Sequence, residues 1–507
     1  MSLGWKVSIP AVTLAVALSA CATTGVEPDR ISALSSLPKI AEVDERFQSY
    51  NVEMVEVTGG RFWAPYGGPA DEMYRMRPPE DLSSQRLRAL ARHLGPAYMR
   101  VSGTWANSTY LPAEGEQVTA PPEGFNQLVT RDQWRGVVAF AETVDARIVT
   151  SFVTSPGARA ADGSWNPEQA QRLLDLTREA GGTIHSAELF NEPTLPTHGA
   201  FPEGYTPRDF GRDFSIFREW ASAAASEMKL TGPGGISEGT MMRASEATAG
   251  MGLLTSEDLL REISGSVDIF SYHFYGTVSQ RCGTPPSQIE QALTPAWLDL
   301  TLIDQAYYAD LRDRHAPGRP LWLNETAQAA CGGSPWAKTY LDTFRYVNQL
   351  GALAQKDVQV VIHNTLGASD YALIDQDTHE PRPSYWAAVL WRRTMGTAVL
   401  ASPASPSADL RLYAHCLRGQ PGGVGVLAIN TGDIAQPLEV TRQAQAWIMT
   451  APTLDSQTVL INGNEPHVAD DGSLAGLDGA ALSGAMAIPA KGIAFIAAPD
   501  AENPSCR

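Results

Sequence analysis

Long apolar runs, clustered histidines and basic charge are what this sequence lacks. After an N-terminal segment, no apolar stretch reaches the ~18 residues that a membrane-spanning helix needs. The 9 histidines form no ligand-spaced cluster, so no metal and no cofactor are expected. Lys and Arg number 38 against 56 Asp and Glu, for a net charge of −18 and a pI near 5.0. That balance speaks against nucleic acid as a partner and does not favour long polyanions. No repeat of solenoid period is visible, which leaves a globular chain. At 507 residues it exceeds one small core, and one barrel plus one smaller domain is the natural division.

What is present begins with a targeting pattern. Lys6 precedes an apolar run from Val7 to Ala17, followed by Leu18-Ser19-Ala20-Cys21. This reads as a bacterial secretion signal (1–20) ending in a lipobox-like sequence. The expectation is an exported lipoprotein, anchored in the periplasm or outer membrane through a lipid on Cys21, with 21–45 as a tether. Four further cysteines, Cys282, Cys331, Cys416 and Cys506, can pair in an oxidising compartment, in three possible ways.

Strand and helix periodicities then alternate. Arg61–Tyr66 reads as the start of a barrel. Ser84–His93 is helical, with Leu87, Leu90 and Ala91 on one face. Ala97–Gly103, Arg147–Val153, the run ending at Phe190, Lys229–Gly235, Val267–Tyr275, Leu321–Glu325 and Val358–Asn364 read as strands, each followed by a helical stretch. About eight strand–helix units is the count of a closed (β/α)8 barrel. After the Pro/Ser-containing stretch 403–407, runs such as Val424–Ile429 and Ile493–Ile496 alternate with turn residues, as in a small β-sandwich.

The chain's chemistry centres on Ala187-Glu188-Leu189-Phe190-Asn191-Glu192-Pro193. A short apolar run giving way to polar residues and a proline is a buried strand entering a loop. In such barrels the C-terminal strand ends line the active site. Leu321-Trp322-Leu323-Asn324-Glu325-Thr326 offers a second carboxylate in the same setting. Two carboxylates facing each other across a sugar are the minimum apparatus for cleaving a glycosidic bond.

Several blocks, in order, carry a resemblance. They are Leu87–Arg100, Val267–Tyr275, Asn324-Glu325-Thr326, Gly367–Asp375 followed by Pro383-Ser384-Tyr385-Trp386, and Leu410–Cys416. Together they resemble glycoside hydrolase family 79, the heparanase family and its bacterial relatives, over nearly all of the mature chain. The resemblance implies a (β/α)8 TIM barrel (59–397) with a C-terminal β-sandwich (398–507). It also implies a strand at 46–58, Tyr50–Val57, joining the sandwich from before the barrel. It implies a retaining enzyme, with Glu192 as acid/base and Glu325 as nucleophile. Asn191 matches a contact to the sugar 2-hydroxyl, His273 and Tyr275 an active-site pair, and Glu53 a contact to the terminal sugar. Family members act on β-linked glucuronic acid, so the expected partner is a carbohydrate containing it.

The uronate carboxylate implied by the family needs an anion site. Cys331-Gly332-Gly333 matches a glycine-rich turn whose backbone N–H groups suit an anion. Tyr371 matches a tyrosine that donates to the carboxylate. Ser369 stands where the family has glycine, and Cys331 is a second departure. The resemblance also pairs Cys416 with Cys506, leaving Cys282 and Cys331 to pair or stay free. The long excised linker of the mammalian members is absent, and so is any Lys/Arg cluster suited to a sulfated polymer. Both points lean towards exo-β-glucuronidase over endo action. The alternatives weighed are heparanase-like endo cleavage, a neutral-sugar barrel glycosidase such as a β-xylosidase or β-glucosidase, and a non-catalytic sugar-binding lipoprotein.

Overall fold

The structure is a computed structural model and describes residues 1, 29–30, 34–67, 72–243, 250–286 and 288–507. The secretion signal and lipobox at Lys6–Cys21 lie outside the described residues. Among the described residues no helix is long and apolar enough to cross a membrane.

Eight strands close into a parallel barrel. In chain order they are Gln48–Asn51, Ala97–Val101, Ala146–Ser151, Ile184–Glu188, Lys229–Ile236, Ile269–Tyr275, Leu321–Ala327 and Val358–His363. Most are buried along nearly their whole length, as parallel strands covered on both faces must be. Amphipathic helices wrap the outside. Gln85–Arg92, for example, turns Leu87, Leu90 and Ala91 inward, while Ser84 Oγ accepts the Leu87 N–H as a cap. Inside, Tyr98, Val149, Ile269, Trp322, Val360 and Ile362 form one buried cluster. Side chains alternate along a strand, so Arg100, two residues after Tyr98, also points into the barrel, nearer the catalytic end.

The second unit, among the described residues, is a largely antiparallel sheet of nine strands, two of which, Leu460–Ile461 and Ala480–Ile488, pair with Gln436–Thr450 off its main path. Its path runs Asp29–Arg30, Gln436–Thr450, Gly492–Ala498, Val424–Asn430, Leu410–Leu417, Met395–Leu400, Lys39–Glu42. It fits the expected β-sandwich and has its own apolar core around Leu412, Val426, Ile488 and Ile496. Arg411 pairs with Asp299 of the barrel, and the Tyr413 hydroxyl donates to Asn348 Oδ1 at 2.7 Å, which ties the two units together.

Three expectations from the sequence are corrected. Gln48–Asn51 does not join the sandwich. It pairs with Val358–His363 and Ala97–Val101 and is the first barrel strand. The extended run stops at Glu53, where the Glu56 carboxylate accepts the Glu53 N–H at 2.6 Å and starts the helix Met54–Thr58. The strands that the sandwich takes from before the barrel are Lys39–Glu42 and Asp29–Arg30, so part of the expected tether belongs to the sheet. Arg61–Tyr66 does not begin the barrel. Gly60–Trp63 forms a hairpin with Tyr74–Arg77 instead.

Candidate active site

The strand ends bring Glu192 and Glu325 together. One oxygen of each, and one ring nitrogen of His273, lie within 4.8 Å of one another. Glu192 sits four residues past its strand, with a φ of 49°, a left-handed conformation that non-glycine residues seldom adopt outside constrained sites. Asn107 holds it there. Its Oδ1 accepts the Asn191 N–H, and its Nδ2 donates to the Asn191 carbonyl, both at 3.0 Å. Glu325 lies within its strand. Opposite it, Tyr272 pairs with Leu323 and His273 with Glu325, which leaves Asn324 as an extra residue. That bulge lets two consecutive side chains, Asn324 and Glu325, both reach the interior.

Glu325 is gripped from two sides. Tyr275 Oη donates to its Oε1 at 2.7 Å, and Arg100 Nη1 donates to its Oε2 at 2.7 Å. Burial alone would raise this carboxyl. His273, Arg100 and Tyr275 outweigh burial and hold it below the ordinary range, as an anion. Arg100 is fully buried and also donates to Glu188 Oε2 from Nη2 at 2.8 Å and to Asn191 Oδ1 at 2.7 Å. Glu188, itself buried, takes further bonds from Asn324 Nδ2 and, at 3.3 Å, from Ser271 Oγ. Burial opposes its charge, but Arg100 and His273 win and bring it down to about 2.

His273 Nδ1 lies 2.9 Å from Glu192 Oε1 and 3.8 Å from Glu325 Oε2. Burial would lower this imidazole, yet Glu325, Glu188 and Glu192 together push it up to about 9. As an imidazolium it donates to Glu192 Oε1. Arg100 and His273 already place two positive charges among these carboxylates, which disfavours a metal ion between Glu192, His273 and Glu325.

A second group of side chains stands beside Glu325. Glu53 is buried, and desolvation followed by the charge of Glu325 pushes it up to about 8, so it is a neutral acid at pH 7. A Cβ on Gly103 would stand 2.7 Å from Glu53 Oε2, and the φ of 91° at this residue is one that glycine takes freely. Asn364 Nδ2 reaches Glu53 Oε1 at 2.9 Å, Tyr275 Oη at 3.0 Å and Tyr371 Oη at 3.1 Å.

The glycine turn lies against this group. A Cβ on Gly333 would meet Tyr371 Cδ1 at 3.3 Å. The turn differs from the expected anion nest in one respect. The Gly333 N–H is already given to the Ala329 carbonyl at 3.2 Å, so it is not a free donor. On the other side of the turn, Arg281 Nη1 donates to the Gly332 carbonyl at 2.8 Å. Cys331 forms a disulfide with Cys282, so it anchors the turn. Ser369 is buried with a φ of 74°, and its carbonyl accepts Arg382 Nη1 at 2.6 Å, which holds the loop that carries Tyr371. The second disulfide joins Cys416 to Cys506, the pairing that the resemblance implies.

The sequence reading gave no role to Arg100, Glu188, Asn107 or Asn364. A charged residue inside a continuous apolar strand, as in Tyr98-Met99-Arg100-Val101 or Ala187-Glu188-Leu189, was a usable signal, because a buried charge needs a partner. Asn107 and Asn364 carried no such signal.

No protein-family model matches the chain. Curated relatives do. Heparanase of Mus musculus is 26% identical over 490 residues, covering 84% of this chain and 88% of its own. Hyaluronoglucuronidase of Hirudo nipponia is 23% identical over 481 residues, covering 84% and 92%. Heparanase-like protein 1 of Arabidopsis thaliana is 29% identical over 275 residues, 54% of this chain and 48% of the plant protein. Among solved structures, an α-L-arabinofuranosidase from Thermotoga maritima superposes with a TM-score of 0.63 at 13% identity, covering 90% of this chain and 97% of its own. A 4-O-α-L-rhamnosyl-β-D-glucuronidase from Fusarium oxysporum gives 0.60 at 14%, covering 91% and 99%. These likenesses bear on the fold. Barrel, paired carboxylates and relatives together define a (β/α)8-barrel glycoside hydrolase. Within that class the chain is similar to the heparanase-like proteins of glycoside hydrolase family 79, at 23–29% identity.

Proposed function

We propose that the protein is a retaining β-glucuronidase that releases β-linked glucuronic acid from a glycan or glycoside. The observation that carries the mechanism is the approach of Glu192 and Glu325 oxygens to within 4.8 Å. Retaining enzymes hold their carboxyl groups roughly 5–5.5 Å apart, too close for an inverting water between them and the sugar. Glu325, kept anionic by Arg100 and Tyr275, attacks the anomeric carbon. The bond to the leaving oxygen breaks as Glu192 delivers its proton to that oxygen. Water then attacks the glycosyl ester, giving a proton back to Glu192 as the bond to Glu325 breaks. Asn191, positioned by Asn107 and Arg100, is the candidate partner for the 2-hydroxyl.

The substrate class rests on the relatives named heparanase and hyaluronoglucuronidase, which support a glucuronide-containing glycan. It also rests on Tyr371, neutral Glu53 and the Gly332-Gly333 turn beside the nucleophile. Exo action is favoured. Arg281 and Lys338, the cations beside that turn, are both engaged by buried Asp370, which leaves them poorly placed to grip a sulfated chain. Two disulfides support an oxidising compartment and thus export, with Cys21 as the lipid anchor.

Aryl β-glycosides that differ only at C5 test the substrate, and proton NMR of the first-formed sugar tests the mechanism. The expected outcome is a preference for the glucuronide, with β-glucuronic acid appearing first. An initial α-anomer would exclude retention. Equal or better hydrolysis of the β-glucoside or β-xyloside would replace the substrate reading with the neutral-sugar one.

A further inference from the structure

Asn364 follows the last barrel strand, Val358–His363, and is 1% exposed. Its backbone is fixed. Its N–H donates to the Thr326 carbonyl at 2.8 Å, one residue past Glu325, and two residues on the Leu366 N–H donates to the Asn51 carbonyl at 2.7 Å. The side-chain amide is oriented by its nitrogen. Nδ2 faces three oxygens, Glu53 Oε1, Tyr275 Oη and Tyr371 Oη, at 2.9–3.1 Å. Oδ1 is buried with no partner among the described residues. A buried amide oxygen left unpaired is unfavourable, so the two hydrogen bonds that the nitrogen can give among these three oxygens must outweigh it.

Those contacts decide which way two phenols point. A hydroxyl has one hydrogen. Tyr275 Oη is 2.7 Å from the Glu325 carboxylate, which only accepts, so Tyr275 must donate there. The hydrogen from Asn364 enters a lone pair of Tyr275 and leaves that donation undisturbed. Tyr371 accepts the amide's second hydrogen, which leaves Glu53 Oε1 as a close neighbour of the nitrogen and not a third acceptor. Its own hydrogen is then directed away from Asn364 and is available to a substrate oxygen. Were the amide nitrogen missing, Tyr371 could turn its hydrogen back towards Glu53 or Tyr275.

We propose that Asn364 is a positioning residue that fixes the donor direction of Tyr275 towards the nucleophile and of Tyr371 towards the glycon, and so couples recognition of the sugar to the orientation of Glu325. The Tyr371 half of this inference rests on the glucuronidase reading. The Tyr275 half holds for any β-glycoside.

Double-mutant cycles test it, because coupled residues are non-additive and independent ones add. Asn364→Ala, Tyr275→Phe, Tyr371→Phe and the two pairs containing Asn364→Ala are compared in kcat and KM on an aryl β-glucuronide and the matching β-glucoside. Asn364→Ala alone is expected to lower kcat/KM on the glucuronide by roughly 10- to 100-fold, through both kcat and KM. In the Tyr275→Phe background its effect on kcat should largely vanish. In the Tyr371→Phe background its effect on glucuronide KM should largely vanish. If Asn364→Ala carries the same fold-loss in both backgrounds as alone, the proposal is overturned. Where Asn364→Ala does not fold, Asn364→Asp keeps the volume, removes the donor and enters the same cycles. A β-glucoside preference in the wild type would defeat the glucuronide reading, while the Tyr275 cycle, read on the β-glucoside, would still decide whether Asn364 acts through Tyr275.

Discussion

Arg100 Nη1 and Glu325 Oε2 form an ion pair of 2.7 Å between side chains that are 1% and 7% exposed. The same guanidinium also binds Glu188 and Asn191. One cation therefore bridges Glu325, the buried anion Glu188 and the asparagine next to Glu192. Its planar fork is what permits three directions at once, and a lysine ammonium has no such fork.

Replacement of Arg100 should therefore injure both folding and turnover. Arg100→Met strands Glu188 and Glu325 as buried carboxylates, and breaking a buried pair from one side typically destabilises by about 3–5 kcal/mol. Arg100→Lys should retain more stability yet still lose roughly 10²-fold in kcat through misplacement of Glu325. Urea denaturation and steady-state kinetics separate the two effects. A lysine variant with normal kcat would show that the fork does not position the nucleophile.

Glu192 and Glu325 should be distinguishable by leaving group. Glu192→Gln is expected to cost roughly 10²–10⁴-fold with a poor leaving group and far less with an activated nitrophenol, since only the former needs a proton. Glu325→Gly should be nearly inactive with either, and azide should restore part of the turnover by taking the nucleophile's place. The reverse pattern would exchange the two roles.

The barrel was legible because seven of its eight strands read as short extended runs with apolar residues, each followed by a helical stretch. Gln48-Ser49-Tyr50-Asn51 does not. Its residues are largely polar though buried, so an amphipathic or edge strand was the natural reading. Glu192 and Glu325 were legible because a carboxylate at the end of such a run is unusual. Asn364 was not, since its importance lies in three partners distant in sequence, Glu53, Tyr275 and Tyr371, that only barrel closure brings together. The Gly333 amide was read as a free donor for a related reason. Whether an N–H is already bound to a carbonyl four residues back is a fact of local geometry, invisible in the letters Cys-Gly-Gly.

Stability should fall as pH rises from about 5 to 9. His273 is pushed up to about 9 from 6.5, its carboxylate neighbours overcoming burial, so the native state holds that proton more tightly than the unfolded chain. Its contribution is complete below pH 6.5 and disappears as pH climbs through about 9. Glu53 is pushed up to about 8 from 4.5 by burial and Glu325, and it too favours the native state only while protonated. Glu188, brought down to about 2, works in the opposite sense and loses its contribution only on acidification below 4.5. Urea midpoints at pH 5, 7 and 9 should decline, and Glu53→Gln should flatten the decline between 5 and 8. A midpoint that rises across this range would contradict the charge states assigned to Glu53 and His273.

The two disulfides should separate by what they affect. Cys416–Cys506 closes a sequence separation of 90, and Cys282–Cys331 one of 49. Loops of that size are worth roughly 4–5 kcal/mol each in the entropic account. Cys506→Ser is expected to lower Tm without changing kcat/KM, because that bridge lies wholly in the sandwich. Cys282→Ser is expected to lower Tm and also raise KM for a glucuronide, because Cys331 adjoins Gly332 and the turn against Tyr371. Unchanged KM in a folded Cys282→Ser enzyme would detach the turn from recognition.

Recognition of the glycon should depend on its carboxylate. Hydrogen bonds to charged groups contribute roughly 1.5–3 kcal/mol each. A pocket built to give them leaves its donors unpaired when a neutral sugar enters, which is how a polar site rejects an analogue strongly. Tyr371, whose hydroxyl accepts from Asn364 and so keeps its hydrogen for substrate, and Glu53, neutral at pH 7, are the two donors the structure sets beside Glu325. Two such bonds lost together correspond to a preference of roughly 10³-fold for an aryl β-glucuronide over its β-glucoside. Tyr371→Phe should erode that ratio by roughly 10- to 100-fold while leaving the β-glucoside rate nearly unchanged. Raising the pH through about 8 should erode it as well, as Glu53 ionises and repels the uronate, and Glu53→Gln should remove that pH dependence. A Tyr371→Phe enzyme that loses both activities in equal proportion would assign Tyr371 to the fold of the loop instead of to the carboxylate.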